Sequence, residues 1–289
     1  MTRELDYIVV GASGFIGDAI IRDLRRRKFN VQGFDSKSAN LLEIDSLLKM
    51  MDGRLNNAIL IYAAGYPRLV SDDLNAFDDN VKMVENMVQV SLELLPAQVI
   101  YLSSVEVYGE PGSEPITEST TTNPKRLYAI GKLTGEMLWN WWGRQTKRPV
   151  KLVRLPGVFG RNDRGLGFIG LAAQAIKQGE KITLNNMGED VRDYVYVEDV
   201  SRAIVELSLL QDISTLVNVA TGISYRTKEI VDTLCNTLGA TDVTTDAAKD
   251  GELKDISRLY FDTHHFRKLL PEFKFTPLQS AILSYRVDD

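Results

Sequence analysis

Tyr128 and Lys132 stand four residues apart in the stretch Tyr128-Ala129-Ile130-Gly131-Lys132. On a helix that spacing returns two side chains to one face, here a phenol beside an ammonium. A free tyrosine titrates near pH ~10, too high for a good base at neutral pH. A neighbouring cation favours the phenolate and lowers that value. The pair therefore has the makings of a general base for the proton of an alcohol. Eleven tyrosines in the chain make a chance match to so short a pattern easy. What surrounds the pair decides whether it is chemistry.

The surroundings are short apolar runs alternating with longer amphipathic segments. Tyr7 to Val10 is a four-residue apolar run, and Val31 to Phe34, Ala58 to Tyr62, Val99 to Leu102 and Val150 to Leu155 repeat the pattern. Buried parallel strands look like this, whereas half-exposed strands alternate. Between the first two, Ile16, Ile20 and Leu24 recur at helical spacing, and Arg25-Arg26-Arg27-Lys28 closes the segment as a solvated helix end that suits the dipole. Strand, helix, strand alternation predicts an α/β fold with a doubly wound parallel sheet of the Rossmann type. After about Pro156 the pattern loosens. A strand is predicted at Leu216 to Val219 and another at Ser257 to Phe261.

Gly11-Ala12-Ser13-Gly14-Phe15-Ile16-Gly17 follows the first strand and opens the first helix, the context that makes a glycine fingerprint specific. Gly11 allows a tight turn, Gly14 lets backbone approach a pyrophosphate, and Gly17 permits close helix–strand packing. The N–H groups of the helix start, Phe15 and Ile16 included, then face the anion. Asp35 ends the second strand, where a carboxylate accepts from ribose hydroxyls and repels a 2′-phosphate. The cofactor predicted is therefore NAD rather than NADP. Gly165-Leu-Gly167-Phe-Ile-Gly170 matches the shorter G-x-G-x-x-G spacing but follows a polar loop, and is read as a loop entering a helix.

Ser103-Ser104-Val105-Glu106-Val107-Tyr108-Gly109 follows the fourth strand. Carboxyl ends of strands face the ligand crevice in such sheets. Ser104 thus stands where a hydroxyl can bind a substrate oxygen and relay a proton to Tyr128. Glu106 beside it is suited to tuning proton transfer, binding substrate hydroxyls, or simply facing solvent.

Composition sets outer limits. The chain has 289 residues, 44% of them hydrophobic and 25% charged, with formal net charge −5. That balance argues against a nucleic-acid surface, and the apolar runs fall short of a membrane span. One cysteine, Cys235, excludes an internal disulfide framework and reads as a core residue in a reducing, cytoplasmic setting. One cysteine and the adjacent His264 and His265 are poor material for a zinc site, so no metal is expected.

Ser104, Tyr128, Lys132 and the seven-residue glycine motif resemble the extended short-chain dehydrogenase/reductase family, and within it the nucleotide-sugar epimerases, dehydratases and reductases. Glu118, Pro124, Gly135 and Glu136 are similar to family positions. The resemblance implies Ser104, Tyr128 and Lys132 as catalytic residues. It implies cofactor contacts at Tyr128 and Lys132, at Asn40 and Leu41, at Ala63 and Ala64, and at Asn80, which also supports the active site. It places Arg192 on the substrate's diphosphate and, more loosely, Arg258 as a second phosphate contact. Two departures stand out. The dehydratases resembled here carry an acid where this chain has Val105, which disfavours dehydration. A family asparagine is replaced by Gly157. A third, Gly131 for a serine, carries no inference.

The resemblance implies a dinucleotide-binding domain over 1–156, rejoined by 195–222, and a smaller substrate domain from 157–194 and 223–289. It implies an NAD-dependent sugar 4-epimerase working through a 4-keto intermediate, or else a reductase of nucleotide-linked 4-keto-6-deoxy sugars. A non-catalytic dinucleotide sensor or scaffold is the reading from another class. A homodimer is expected, with tryptophans among Trp139, Trp141 and Trp142 buried between subunits.

Overall fold

The computed structural model describes residues 6–112, 115–163, 167–239, 245–247 and 257–286. The apolar runs become strands, and the central ones, Ile59–Tyr62, Gln98–Ser104 and Val150–Leu155, are buried on both faces, while Asn30–Phe34 at the edge buries only Phe34. In chain order the first half gives β1 (Asp6–Val10), α1 (Phe15–Arg26), β2 (Asn30–Phe34), α2 (Ile44–Met51), β3 (Ile59–Tyr62), α3 (Leu74–Leu94), β4 (Gln98–Ser104), α4 (Leu127–Thr146) and β5 (Val150–Leu155). The second half gives β6 (Gly157–Phe159), α5 (Phe168–Gln178), β7 (Ile182–Leu184), β8 (Val191–Tyr196), α6 (Val197–Leu209), β9 (Thr215–Asn218), β10 (Ser224–Arg226), α7 (Thr227–Leu238), β11 (Thr245–Ala247), α8 (His264–Leu269) and α9 (Leu278–Ile282).

Among the described residues the central sheet has six parallel strands in the order β2-β1-β3-β4-β5-β9. Every residue of β3, β4 and β5 is buried. One face of the sheet packs Leu47 and Met51 of α2, Met83 and Met87 of α3, and Trp139 and Trp142 of α4. The other packs Ile20 and Leu24 of α1, Val200 and Ile204 of α6, and Phe266 of α8. Removing side chains of this size from water contributes about 1.5–3 kcal/mol each. Helices on both faces make the sheet doubly wound.

From β1 the chain steps outward to β2 and then returns to the other side of β1 as β3. That reversal opens a crevice beyond the carboxyl ends of β1 and β3, the usual ligand position in such sheets. A second sheet, β10-β8-β6, stands beyond the carboxyl end of β5, since only Pro156 separates β5 from β6.

Two expectations change. Residues 257–261 form isolated bridges, Arg258 with Val191 and Phe261 with Ile116, in place of a strand. The segment crosses from one partner to another and so meets no continuous edge. The basic end of α1 is partly paired rather than merely solvated: Arg26 and Arg27 both reach the buried Asp23, and Arg27 Nη1 reaches Glu206 Oε1 of α6 at 2.6 Å.

Candidate active site

The turn after β1 is shaped by what cannot fit in it. Gly11 has φ +92°, and a Cβ there would lie 2.7 Å from the backbone of Ala63. A Cβ on Gly17 would lie 2.1 Å from the Gly11 carbonyl oxygen. Glycine alone tolerates both demands. The turn is stitched to β2, with Gly11 N and Ala12 N both donating to Phe34 O. Gly14 caps α1 with no side-chain bond, so the first N–H groups of the helix have no partner from a cap. Ser13 to Gly17, Ala63 and Ala64 line a cleft of about 910 Å³ that runs on to Tyr128 and Arg192. A backbone cradle at a helix start is suited to a pyrophosphate, and these residues fit a dinucleotide.

The outer contacts predicted for that dinucleotide are less uniform. Asp35 sits at the end of β2, its Oδ1 accepting from Ser38 Oγ (2.9 Å), Ser38 N (3.0 Å) and Lys37 N (3.1 Å). The Ser38 side chain, then these N–H groups, hold its carboxyl below the ordinary value. Asn40 spends its side chain within its own turn, accepting from Leu42 N and donating to Glu43 Oε1. Leu41 packs in the core while its carbonyl accepts from buried Asn86. The structure therefore does not bring the Asn40 and Leu41 side chains into the cleft. Asn80 clamps the β3–α3 loop: its Oδ1 accepts from Tyr66 N at 2.7 Å and its Nδ2 donates to Tyr66 O at 3.2 Å.

Ser104 ends β4, and its Oγ accepts from Glu106 N at 3.2 Å in the short 3₁₀ turn that follows. Ser104 and Tyr128 line the same end of the cleft, and the Ser104 hydroxyl is near enough to favour the phenolate. The Tyr128 phenol is nevertheless pushed up. Burial is the largest cause and the Glu106 carboxylate adds to it, while Arg68 and the Ser104 hydroxyl oppose. The expected lowering by Lys132 is not found. Lys132 Nζ lies 5.8 Å from the Tyr128 ring centre and 5.2 Å from that of Tyr101, and donates to Leu102 O at 2.9 Å. Desolvation outweighs a cation held at that distance.

Burial also pushes Lys132 down to about 8, with Glu136 opposing. The unfolded chain, where lysine titrates near ~10.4, holds that proton more tightly. The charge thus costs stability in full below pH 8, and the cost fades as pH rises from about 8 to ~10.4. Lys132→Met is expected to melt higher than the parent at pH 7, with the gap closing above pH 8. Calorimetric melting at pH 7 and pH 10 checks this; a gap that does not narrow counts against it.

The helix bearing Tyr128 is capped from another element. Its own N-cap, Arg126, supplies no side-chain bond. Asp72 Oδ1 accepts from Tyr128 N at 2.8 Å, and Arg126 lies 3.5 Å from the other carboxylate oxygen. Sequence reasoning missed Asp72, because Asp73 beside it has the spacing of a local cap and does cap α3. Asp72→Ala is expected to cost about 0.5–2 kcal/mol, the usual worth of such a cap, read as a shift in urea midpoint. Asp72→Asn should keep most of it.

On the substrate side, Arg192 lines the cleft and its Nη1 donates to the carbonyls of Val191 and Ser257, both at 2.9 Å. Arg258 does not join it. Ser257 and Leu259 line the cleft, and Arg258 between them is exposed with its charge near Glu189. Gly157 leaves room for Tyr194, whose ring lies 2.6 Å from where a Cβ would stand. Asparagine there would displace that ring. Val105 is buried with Val107, Tyr108 and Ile116. Asp193 was also missed. It lines the cleft, holds Thr221 Oγ (2.7 Å) and Gly222 N (2.8 Å), and burial pushes it up to about 6. Gly167 opens α5 beside the same cleft, as its reading as a helix entry requires. Burial raises the Cys235 thiol, which suits packing rather than attack. No group of metal-binding side chains occurs among the described residues.

The profile of the NAD dependent epimerase/dehydratase family matches residues 7–220. The chain belongs to that family. NAD is accordingly its cofactor, and the fold is that of the extended short-chain dehydrogenases/reductases. A UDP-glucose 4-epimerase of Mycolicibacterium smegmatis is 26% identical over 262 residues, covering 81% of this chain and 83% of that one. A GDP-6-deoxy-D-talose 4-dehydrogenase of Aggregatibacter actinomycetemcomitans is 26% identical over 237 residues, covering 80% and 79%. The crystal structure of Thermus thermophilus UDP-glucose 4-epimerase in complex with NAD superposes with TM-score 0.85 at 21% identity, covering 98% of this chain and 99% of that one. No helix among the described residues is long and apolar enough to cross a membrane.

Proposed function

We propose that the protein interconverts the alcohol and ketone at C4 of a nucleotide-linked sugar, acting as a 4-epimerase. The observation that carries this reading is the meeting of Ser104 and Tyr128 at the far end of the glycine-turn cleft. Bound NAD supplies hydride acceptance and return. Tyr128 holds and moves the proton of the sugar hydroxyl, and Ser104 orients that oxygen. Lys132, fixed on Leu102 O, supplies positive charge near the phenol. Arg192 grips the diphosphate, for which its planar fork is suited. Asp35 stands where a 2′-phosphate would be repelled, which supports NAD over NADP and a retained, recycled cofactor.

The runner-up is reduction of a 4-keto sugar, favoured by the 4-dehydrogenase relative. Dehydration is disfavoured because Val105 is apolar and buried where an acid would be needed. The test is incubation with UDP-glucose or UDP-galactose and no added cofactor. Interconversion supports the epimerase. Stoichiometric NADH consumption with a 4-keto sugar, by protein purified without nicotinamide, replaces it with the reductase.

Self-association is proposed through the outer face of α4. Trp139 and Trp142 are fully buried within one subunit, so they do not serve a partner. Ile130, Met137 and Trp141 share one exposed helical face. A monomeric mass by light scattering removes the idea.

A further inference from the structure

We propose that Arg68 and Glu106 together read two neighbouring hydroxyls of the substrate's sugar ring. The inference rests on the nucleotide-sugar reading above. Arg68 Nε donates to Glu106 Oε1 at 2.9 Å, and each side chain keeps 33% of its surface. Both line the cleft with Ser104 and Tyr128. Glu106 Oε2 and the terminal nitrogens of Arg68 have no partner among the described residues. The pair therefore presents an acceptor beside a donor.

Two arguments set this pair apart from an ordinary surface ion pair. An exposed pair contributes little to stability, yet this one sits where a carboxylate works against Tyr128 by raising its phenol. Arg68 acts the other way and offsets the charge. A carboxylate kept at such a point has a use that an amide or an apolar group does not serve. The second argument is rigidity. Glu106 N donates to Ser104 Oγ, and the loop carrying Arg68 is clamped two residues earlier by Asn80 on Tyr66. The pair is thus held by the residues that hold the candidate catalytic groups. A vicinal diol fits it chemically. One hydroxyl donates to the carboxylate, and its neighbour accepts from the guanidinium, whose planar fork donates in fixed directions.

Calorimetric titration of the NAD-loaded protein tests this, with UDP, dTDP and GDP compared with UDP-glucose, dTDP-glucose and GDP-mannose. For each nucleotide, the Kd of the free diphosphate divided by that of its sugar ester isolates the sugar's contribution. Arg68→Met and Glu106→Gln are each expected to shrink that ratio about tenfold, within the range for hydrogen bonds to charged groups. The double variant should lose more than either single one, and the free diphosphate should bind unchanged. Arg68→Lys, which keeps the charge but not the fork, should fall between, and melting temperatures verify that each variant is folded. Ratios unchanged in both single variants overturn the inference. So does a wild-type ratio of one, or an equal loss for diphosphate and ester. If neither diphosphates nor esters bind the wild type, the nucleotide-sugar reading itself fails, and this inference with it.

Discussion

Tyr128→Phe is expected to lose at least ~10²-fold in turnover while NAD still binds, within the range of a positioned acid or base. The substitution removes one oxygen and leaves the ring. Asp72 still caps the backbone N–H of residue 128, and Lys132 still bonds Leu102 O. Only the proton carrier beside Ser104 is gone, so binding and chemistry should separate. The structure adds a condition to this expectation. Burial and Glu106 push the phenol up, so in the protein without ligands it holds its proton firmly at neutral pH. To take a proton it must first be ionised, and that requires more positive charge near the ring than Lys132 supplies at 5.8 Å from its centre. The measurement is steady-state turnover with the sugar nucleotide that the wild type converts, alongside NAD titration. Turnover within a few-fold of wild type would remove Tyr128 from the mechanism.

What could be read in advance was local. Gly11 and Gly17 could be assigned from spacing because the clashes they avoid are with the adjoining strand and with the turn itself. The central strands β3 and β4 could be read because burial on both faces leaves a nearly continuous apolar run. What could not be read depended on partners distant in sequence. Asp72 looks like one of two acids before a helix, and only packing shows that it caps a different helix 56 residues on. Arg68 carries no local signal, since its partner lies 38 residues away. Arg258 fails for the opposite reason. The resemblance offers it as a phosphate contact, but alternation along the bridged segment turns its neighbours, Ser257 and Leu259, toward the cleft. Lys132 shows the limit of helical spacing. The two side chains do share a face, yet the ammonium settles on a carbonyl and two rings, and burial sets the acidity of the phenol.

Glu136→Leu should be the most destabilising single change in the catalytic half of the chain, at about 3–5 kcal/mol, because it strands a buried cation. Glu136 and Arg154 are 3% and 4% exposed. Glu136 Oε1 accepts from Arg154 Nε at 2.8 Å and Ser103 Oγ at 2.5 Å, and Oε2 accepts from Arg154 Nη2 at 2.6 Å. Arg154 also lies 4.7 Å over the Tyr108 ring, whose hydroxyl donates to Asn218. The network thus joins α4 to β4, β5 and β9 immediately behind the candidate site. Ser103 turns inward to it while Ser104, one residue on, turns to the cleft, as the two-residue period of a strand requires. The two partners are not equivalent. A guanidinium cannot shed its proton in a protein, whereas a carboxyl left alone can take one up and become neutral. Arg154→Met is therefore expected to cost less than Glu136→Leu. The double variant Glu136→Leu/Arg154→Met should recover much of the loss, since no charge then remains buried. Urea unfolding of the four proteins measures all three steps, with the coupling read from the cycle. Additive costs, or a larger cost for Arg154→Met, would show that packing around Tyr108 rather than charge holds this region together.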